Sequence, residues 1–563
     1  MSYIQNIVSV GRDDRVRKYL MPKRIVAVNG DVNNAEGLLR EKSLQISLSE
    51  PDVTTLKNGG SGTEPAWILL DYGCELHGGV RILASRTGGA MENHGLRITF
   101  GESVSEALSQ IGEKNATNDH AIRDFTMAVP TLSDQTYGET GFRFVKLELV
   151  GEKSILTLKS ALAVFIYREE EYKGSFTSSD ETINRIYDTA AYTVHLNMQY
   201  MLWDGIKRDR LAWVGDSHPE MLAIRTLFGC DPILPDNLRF SREEAPLPRW
   251  MNGMPAYSLW WLMMTYDWCT HFGDFSFAEE SADYIRGLVE QFCALIDDDG
   301  DHHLPAYFLD WPTNGHPEAK AGVHGLMILA LEKGRKLCLR LGFAGTAAKA
   351  EAKLAALRKV CPDGGDRSQA NAMLALSGVG GEREIERILK KGAAGLSTYM
   401  GYYILTALAK AGHTAEAIGI MKEYYGGMLS VGATSFWEDF DLAWLEIAGR
   451  IDEMPTEGKK DIHGDYGKFC YVGLRHSLCH GWSAGVVAFM AENILGIRAQ
   501  SEGCDDILLV PELGPLDFAE GSYPTRHGIL TVRVHRVNGR PSVEKLTVPE
   551  GVRLTLAPGV GIG

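Results

Sequence analysis

Ser179-Asp-Glu-Thr-Ile-Asn-Arg-Ile-Tyr187 is the stretch at which the periodicity of this chain changes. It opens with a cap-like Ser179 and continues with apolar residues at helical spacing. Roughly a dozen helical segments follow up to about residue 497, among them 254–272, 276–297, 318–341, 344–360, 396–411 and 482–495. About twelve helices over about 320 residues is the count for six helical hairpins closed into an (α/α)6 barrel, and the absence of a strict repeat excludes an ordinary solenoid.

Upstream, short runs with partial period-two alternation read as strands. They are Trp67-Ile-Leu-Leu-Asp-Tyr-Gly, a Gly-containing turn, Gly79-Val-Arg-Ile-Leu, then Leu96-Arg-Ile-Thr-Phe and Phe142-Arg-Phe-Val-Lys-Leu-Glu-Leu. That pattern suits a β-sandwich. Downstream, Leu530-Thr-Val-Arg-Val-His-Arg-Val alternates cleanly, Asn538-Gly539 is a hairpin turn signal, and Val552-Arg-Leu-Thr-Leu alternates again. The expected organisation is multidomain α and β: an N-terminal β-sandwich over 1–172, an (α/α)6 barrel over 173–497, and a closing β-sandwich over 498–563.

The bulk numbers narrow the function. A chain of 563 residues exceeds one compact core. A formal charge of −16 argues against nucleic-acid binding, which needs a basic face. No 18-residue apolar run exists, so no membrane span is expected. The start, MSYIQNIVSVGRDDRVRKYL, lacks an apolar signal region followed by a cleavage site, and the nine scattered cysteines contain no CxxC pair. A reducing, cytoplasmic setting fits, with no cofactor or metal and with a homodimer as the expected assembly.

Between the helix ending near Tyr200 and the one beginning near Ser217 lies Asp204-Gly-Ile-Lys-Arg208-Asp209-Arg210-Leu-Ala-Trp213-Val-Gly-Asp216. Carboxylates move protons and bind hydroxyls, arginines hold carboxylates ionised, and an indole covers the apolar face of a pyranose. From residues alone a salt-bridged loop anchored by Trp213 is an equal reading. Glu220, four residues after Asp216, reads as a capping or structural acid. Gly432-Ala-Thr-Ser-Phe-Trp437-Glu438-Asp439-Phe-Asp441 again joins an indole to acids. There Asp439 and Asp441 suit a helix start, and Glu438 is the better candidate for chemistry. Leu309-Asp310-Trp311-Pro offers a further aromatic wall, and Ser477-Leu-Cys-His480-Gly-Trp482 a histidine with either a core or a site role. Gly481-Trp-Ser483-Ala-Gly485 matches a nucleophile elbow in letters but lacks the preceding strand. Asp297-Asp-Asp-Gly-Asp301-His-His303 lacks calcium-loop spacing and reads as a polar turn.

Together these segments resemble the bacterial α-L-rhamnosidases of glycoside hydrolase family 78. Asp71-Tyr-Gly-x-Glu-Leu, Gly101-Glu-Ser, Pro511-Glu-Leu-Gly-Pro-Leu and Pro524-Thr add to the resemblance. It implies an inverting glycoside hydrolase that releases terminal α-L-rhamnose, with Glu438 as general base. It implies sugar contacts from Asp204, Arg208, Trp213, Asp216 and His480, with Trp311 as an aromatic wall and Trp250 or Trp260 as another. Many members read Arg-Asp-Glu-Arg, where the Glu is the general acid. This chain reads Arg208-Asp209-Arg210, one residue shorter, which gives the acid role to Asp209 on a shorter arm. Adjacent cations depress an acid's pKa, so one of Arg208 and Arg210 is expected to pair with another acid such as Asp204 or Asp216. The short chain implies small rhamnosylated oligosaccharides or glycosides as substrates. The alternatives are an (α/α)6 enzyme on another sugar, a polysaccharide lyase, or a non-catalytic sugar-binding protein of the same fold.

Overall fold

The structure, a computed structural model, describes residues 13–86 and 93–562. The reading of the N-terminal start falls largely outside those residues. Strands fill the first part. Trp67–Ala84, Asp134–Val150 and Ile155–Arg168 are the long ones, and Arg15–Leu20, Arg24–Asn29, Asp31–Asn33, Thr54–Lys57, Asn93–Gly101 and Asp124–Pro130 join them in one antiparallel sheet. Trp67–Ala84 is continuous where the sequence suggested two strands and a turn. Its glycines make irregularities rather than a reversal, with register shifts between Asp71 and Leu76 and between Gly78 and Val80. In its first half this strand pairs with Arg24–Asn29, and in its second half with Ile155–Arg168. Ile68, Leu70, Val80, Ile82, Phe100 and Leu147 fill the core beneath it.

The helical region starts where the periodicity changes, one residue later than expected. Asp180, not Ser179, caps the helix Glu181–Asn197, accepting from the Thr182 and Ile183 amides at 3.0 and 3.3 Å. Six helical segments form a closed ring: Ser217–Leu227, Pro255–Phe272, Glu318–Arg340, Ser368–Ser377, Gly401–Lys410 and Val486–Phe489, each packed on the next and the last on the first. The Pro255–Phe272 helix shows how sequence fixes such a member. Pro255 starts it, Gly273 at φ 66° ends it, and its sides are apolar nearly all round because it is buried on nearly all sides. The expected helix 482–495 is broken instead into a 3-10 turn Gly481–Gly485, an α turn Val486–Phe489 and a π-helix Met490–Ile494.

After the helices, Phe518–Thr525, Gly528–Val537 and Arg540–Thr547 make a meander whose second turn is Asn538-Gly539, both at positive φ (50° and 78°). Ser175–Ser178, from before the helices, adds a strand to its edge. Arg553–Leu556 does not join the meander. It pairs in parallel with Asp506–Leu509 in a separate three-stranded sheet. No helix among the described residues is long and apolar enough to cross a membrane.

The β-rich part clamps the loops that lead into the helices. The Asp71 carboxylate binds Arg143 at 2.8 and 3.0 Å, and Arg143 donates on to the Gly432 carbonyl at 3.1 Å. The Glu75 amide donates to Thr434 Oγ1 at 2.9 Å. Glu102 and Glu106 hold the buried Lys207 ammonium at 2.9 and 3.2 Å, and Glu102 also accepts from the Leu478 amide at 2.6 Å. The Asp71 and Gly101-Glu-Ser motifs thus touch three segments far downstream.

Candidate active site

Those three segments, around residues 204–213, 432–438 and 477–482, meet at one mouth of the helical ring. Asp204, Arg208, Asp209, Trp213, Asp216, Trp311, Glu438 and His480 all line a single cavity of about 470 Å³. Trp250 and Trp260 do not. Trp260 is fully buried against His218 and Tyr403, and Trp250 packs on Phe292. Tyr257, Phe308, Tyr471 and Trp482 wall the cavity instead.

The Asp204 loop is closed on itself. The Leu211 amide donates to Asp204 Oδ1 at 2.9 Å, and the Asp204 amide donates to the Leu211 carbonyl at 3.1 Å. Asp209 and Arg210 take left-handed backbone (φ 58° and 56°), which turns the Asp209 side chain toward the cavity and Arg210 away from it. Both arginines pair with another acid, as expected of one of them, but the partners are Glu438 and Glu139 rather than Asp204 or Asp216. Arg210 reaches the Glu139 carboxylate at 3.3 Å and lies over the Trp203 ring at 4.8 Å. Arg208 forks, with Nη1 on Asp209 Oδ1 at 2.6 Å and Nη2 on Glu438 Oε1. Asp209 also accepts from Trp213 Nε1 at 3.2 Å, and His120 Nδ1, from the β-rich part, lies 3.2 Å from its Oδ1.

Glu438 is anchored through its backbone. Its amide donates to the Ser477 carbonyl at 3.0 Å, and its carbonyl accepts from Thr398 Oγ1 at 2.6 Å and Trp482 Nε1 at 3.2 Å. Burial alone would raise its carboxyl pKa. The Arg208 guanidinium and His480 outweigh that and hold it down at about 2. His480 Nε2 sits among three carboxylates, 3.6 Å from Asp204, 3.7 Å from Glu438 and 3.9 Å from Asp216. Burial would lower the imidazole pKa, but the Asp204 and Glu438 carboxylates above all raise it on balance. Asp216 accepts from the Tyr257 hydroxyl at 2.9 Å, and burial pushes its carboxyl up to about 8. The site therefore holds an ionised Glu438 and a protonated Asp216 side by side at neutral pH.

Around this centre the other sequence readings fall into place. Glu220 is fully buried, burial pushes its carboxyl well above the usual range, and it packs under Gly481. A Cβ on Gly481 would lie 1.6 Å from Glu220 Oε1, so only glycine fits there. Ser483 is buried and donates to the His480 carbonyl at 2.7 Å, which is no nucleophile geometry. Asp441 caps a 3-10 turn, accepting from the Ala443 amide at 3.0 Å. Asp297 and Asp301 close a turn, with Lys320 on Asp301 at 2.6 Å. Among the described residues two buried clusters bring three ligand-type atoms within 4.8 Å of one another. One, Glu102, Glu106 and His463, already encloses the Lys207 ammonium. The other, Asp204, Asp216 and His480, faces the cavity with groups suited to sugar hydroxyls.

Sequence reasoning missed His120, Tyr257, Phe308 and Tyr471. Tyr257 had a signal, a hydroxyl in the first turn of a largely apolar helix; His120 had none, since only the fold brings residue 120 beside residue 209.

Residues 171–278 match the family of the bacterial α-L-rhamnosidase six-hairpin glycosidase domain. No curated protein matches by sequence. Among solved structures, a family 78 rhamnosidase of a Bacillus species is 22% identical with a TM-score of 0.75, covering 94% of this chain and 56% of its own. A Klebsiella oxytoca rhamnosidase with rhamnose bound is 20% identical with a TM-score of 0.66, covering 85% of this chain and 96% of its own. A Streptomyces avermitilis α-L-rhamnosidase complexed with L-rhamnose is 17% identical with a TM-score of 0.66, covering 90% and 50%. This chain thus spans little more than half of the Bacillus protein. The fold is that of the six-hairpin glycosidases. Within that class the resemblance to the bacterial α-L-rhamnosidases holds.

Proposed function

We propose that this protein is an α-L-rhamnosidase-like glycoside hydrolase that releases terminal α-L-rhamnose, with inversion, from small oligosaccharides or glycosides. One observation carries the reading. Four carboxylates, one guanidinium and one imidazole converge in a cavity walled by aromatic rings, and one of those carboxylates is held ionised against burial. The rhamnose-bound relatives of the same fold support the choice of sugar.

In this reading Glu438 removes a proton from water on one face of the sugar, and Asp209 protonates the glycosidic oxygen on the other. Inversion requires the two carboxyls to stand about 6.5–9.5 Å apart. Asp204, Asp216 and His480 bind ring hydroxyls, Arg208 orients both catalytic carboxylates, and Trp213 and Trp311 cover the apolar sugar face. The ring of six helical segments and the helices outside it are read as an (α/α)6 barrel over 173–497, flanked by β-sandwiches over 1–172 and 498–563.

A second reading of the acid has its own support. Asp209 accepts hydrogen bonds from Arg208 and Trp213, whereas burial keeps Asp216 protonated to about pH 8, so Asp216 has a proton to give. Hydrolysis of an aryl α-L-rhamnoside, followed by NMR, tests the function. The expected first product is β-L-rhamnose. An α first product removes the inverting mechanism, and tight rhamnose binding without turnover favours a sugar-binding protein.

A further inference from the structure

A second cavity, of about 520 Å³, opens at the other end of the helical ring. Three ring helices connect the two. Asp216, Tyr257 and Met400 lie at or near the starts of Ser217–Leu227, Pro255–Phe272 and Gly401–Lys410, toward the sugar cavity, while Arg225, Thr270 and Lys410 at their far ends line the second one. Thirteen residues of helix separate Tyr257 from Thr270, about 20 Å. The wall is completed by the π-helix Met490–Ile494, which contributes Glu492 and Asn493, and by Tyr523 from the C-terminal sheet. Short π-helical turns are rare and occur frequently at functional sites.

Three acids and three cations line this cavity, but the ion pairing leaves two of the cations over. Each of its acids has its own cation: Asp267 holds Lys333 at 2.5 Å, Glu492 holds Arg225 at 2.5 Å, and Glu502 holds Arg340 at 2.9 Å. Lys410 and Arg498 also line the wall, and neither forms an ion pair with a carboxylate among the described residues. Counted with Lys333 and Arg340, which lie outside the lining, the wall holds two cations in excess in a chain of net charge −16. Hydroxyls are left over as well, since Thr270 and Thr406 Oγ1 are buried on this wall without a hydrogen-bond partner.

We propose that this cavity binds the oxyanion group, carboxylate or phosphate, of a small molecule, with Lys410 and Arg498 as its cationic contacts. Lys410 is exposed overall, yet desolvation of its ammonium in this wall lowers its pKa, and the Lys333 and Arg498 cations lower it further against the pull of Glu492. A bound anion relieves that repulsion. The proposal does not depend on what the sugar cavity does, because neither cation lines that cavity.

Isothermal titration of the full chain with inorganic phosphate, and separately with malonate, at low ionic strength is the test. Saturable binding of either one is expected. Its dissociation constant should rise at least about tenfold in Lys410→Gln and in Arg498→Gln, since each removes a charge-assisted contact. Phosphate binding alone would indicate a phosphate ester as ligand, and malonate binding alone a carboxylic acid. Hydrolysis of an aryl rhamnoside by both variants without added anion should match the parent protein. Absence of saturable binding of both probes, or binding unchanged in both variants, overturns the proposal.

Discussion

The Arg208 guanidinium binds Glu438 through one nitrogen and Asp209 through the other, so a single planar group fixes the two carboxylates relative to each other. It does so while nearly buried, where its charge is little screened. Arg208→Lys replaces a two-pronged contact with a point charge. We expect kcat on an aryl rhamnoside to fall by about 10²-fold or more with the fold intact by circular dichroism. Parent-like kcat would show that the fork does not organise the reaction.

Glu438→Gln keeps the shape and removes the proposed base. A general base contributes about 10²–10⁴-fold, so activity should fall by that factor on good and poor leaving groups alike. Because Glu438 is held at about 2, deprotonation of the base should not limit kcat/KM above about pH 3. An acid limb centred at pH 4–5 would assign the base elsewhere.

Asp209 and His120 are tested by leaving-group chemistry. Asp209→Asn should cost about 10²–10⁴-fold on an alkyl rhamnoside and far less on a nitrophenyl rhamnoside, whose leaving group needs little protonation. His120→Ala should follow the same pattern more weakly, because it removes a contact 3.2 Å from Asp209 Oδ1. If Asp216→Asn shows this split and Asp209→Asn does not, the proton comes from Asp216.

Asp216 also gives stability a pH dependence of fixed sign. Its folded pKa, about 8, lies above its unfolded value of 3.8. Between those values the unfolded chain has lost a proton that the folded chain keeps, so this group makes stability fall as pH rises, by at most about 1.4 kcal/mol per unit. The melting temperature of Asp216→Asn relative to the parent should therefore increase from pH 5 to pH 8. A constant difference would show that Asp216 is ionised throughout.

Lys207 is a buried cation shared by Glu102 and Glu106 and by the carbonyls of Leu474 and His476 at 3.1 and 2.5 Å. Lys207→Met leaves two buried carboxylates without their cation, a loss of about 3–5 kcal/mol in urea unfolding. Lys207 lines no part of the sugar cavity, so the loss should appear in stability before it appears in KM.

Much of the site was legible because its chemistry is local. Asp204–Asp216, Trp437-Glu438 and His480-Gly-Trp482 each carry acids, a histidine or indoles within a few residues, and each contributes side chains to one cavity, although Trp437 itself is buried in the core. Helix existence was legible for the same reason, since a period of 3.6 is a local property. What could not be read is what depends on distant chain. The expected strand break before Gly79 is absent because two different strands pair along one continuous strand. The helix 482–495 reads as uniform but is divided into three helical types, and periodicity over fourteen residues does not separate 3-10, α and π turns. Arg210 finds Glu139 rather than a neighbour in its own loop, and Trp250 and Trp260, attractive as sugar platforms, are spent on the core.

The strand Ser175–Ser178 has its partner at Phe518–Thr525, more than three hundred residues later. During synthesis the helical segment is therefore made long before its outer edge can be sealed, and the cavity needs residues from Asp204 through Trp482 before it exists. A nascent chain of this protein has no assembled cavity, and until Phe518–Thr525 emerges it carries an unpaired edge that chaperones or aggregation can reach.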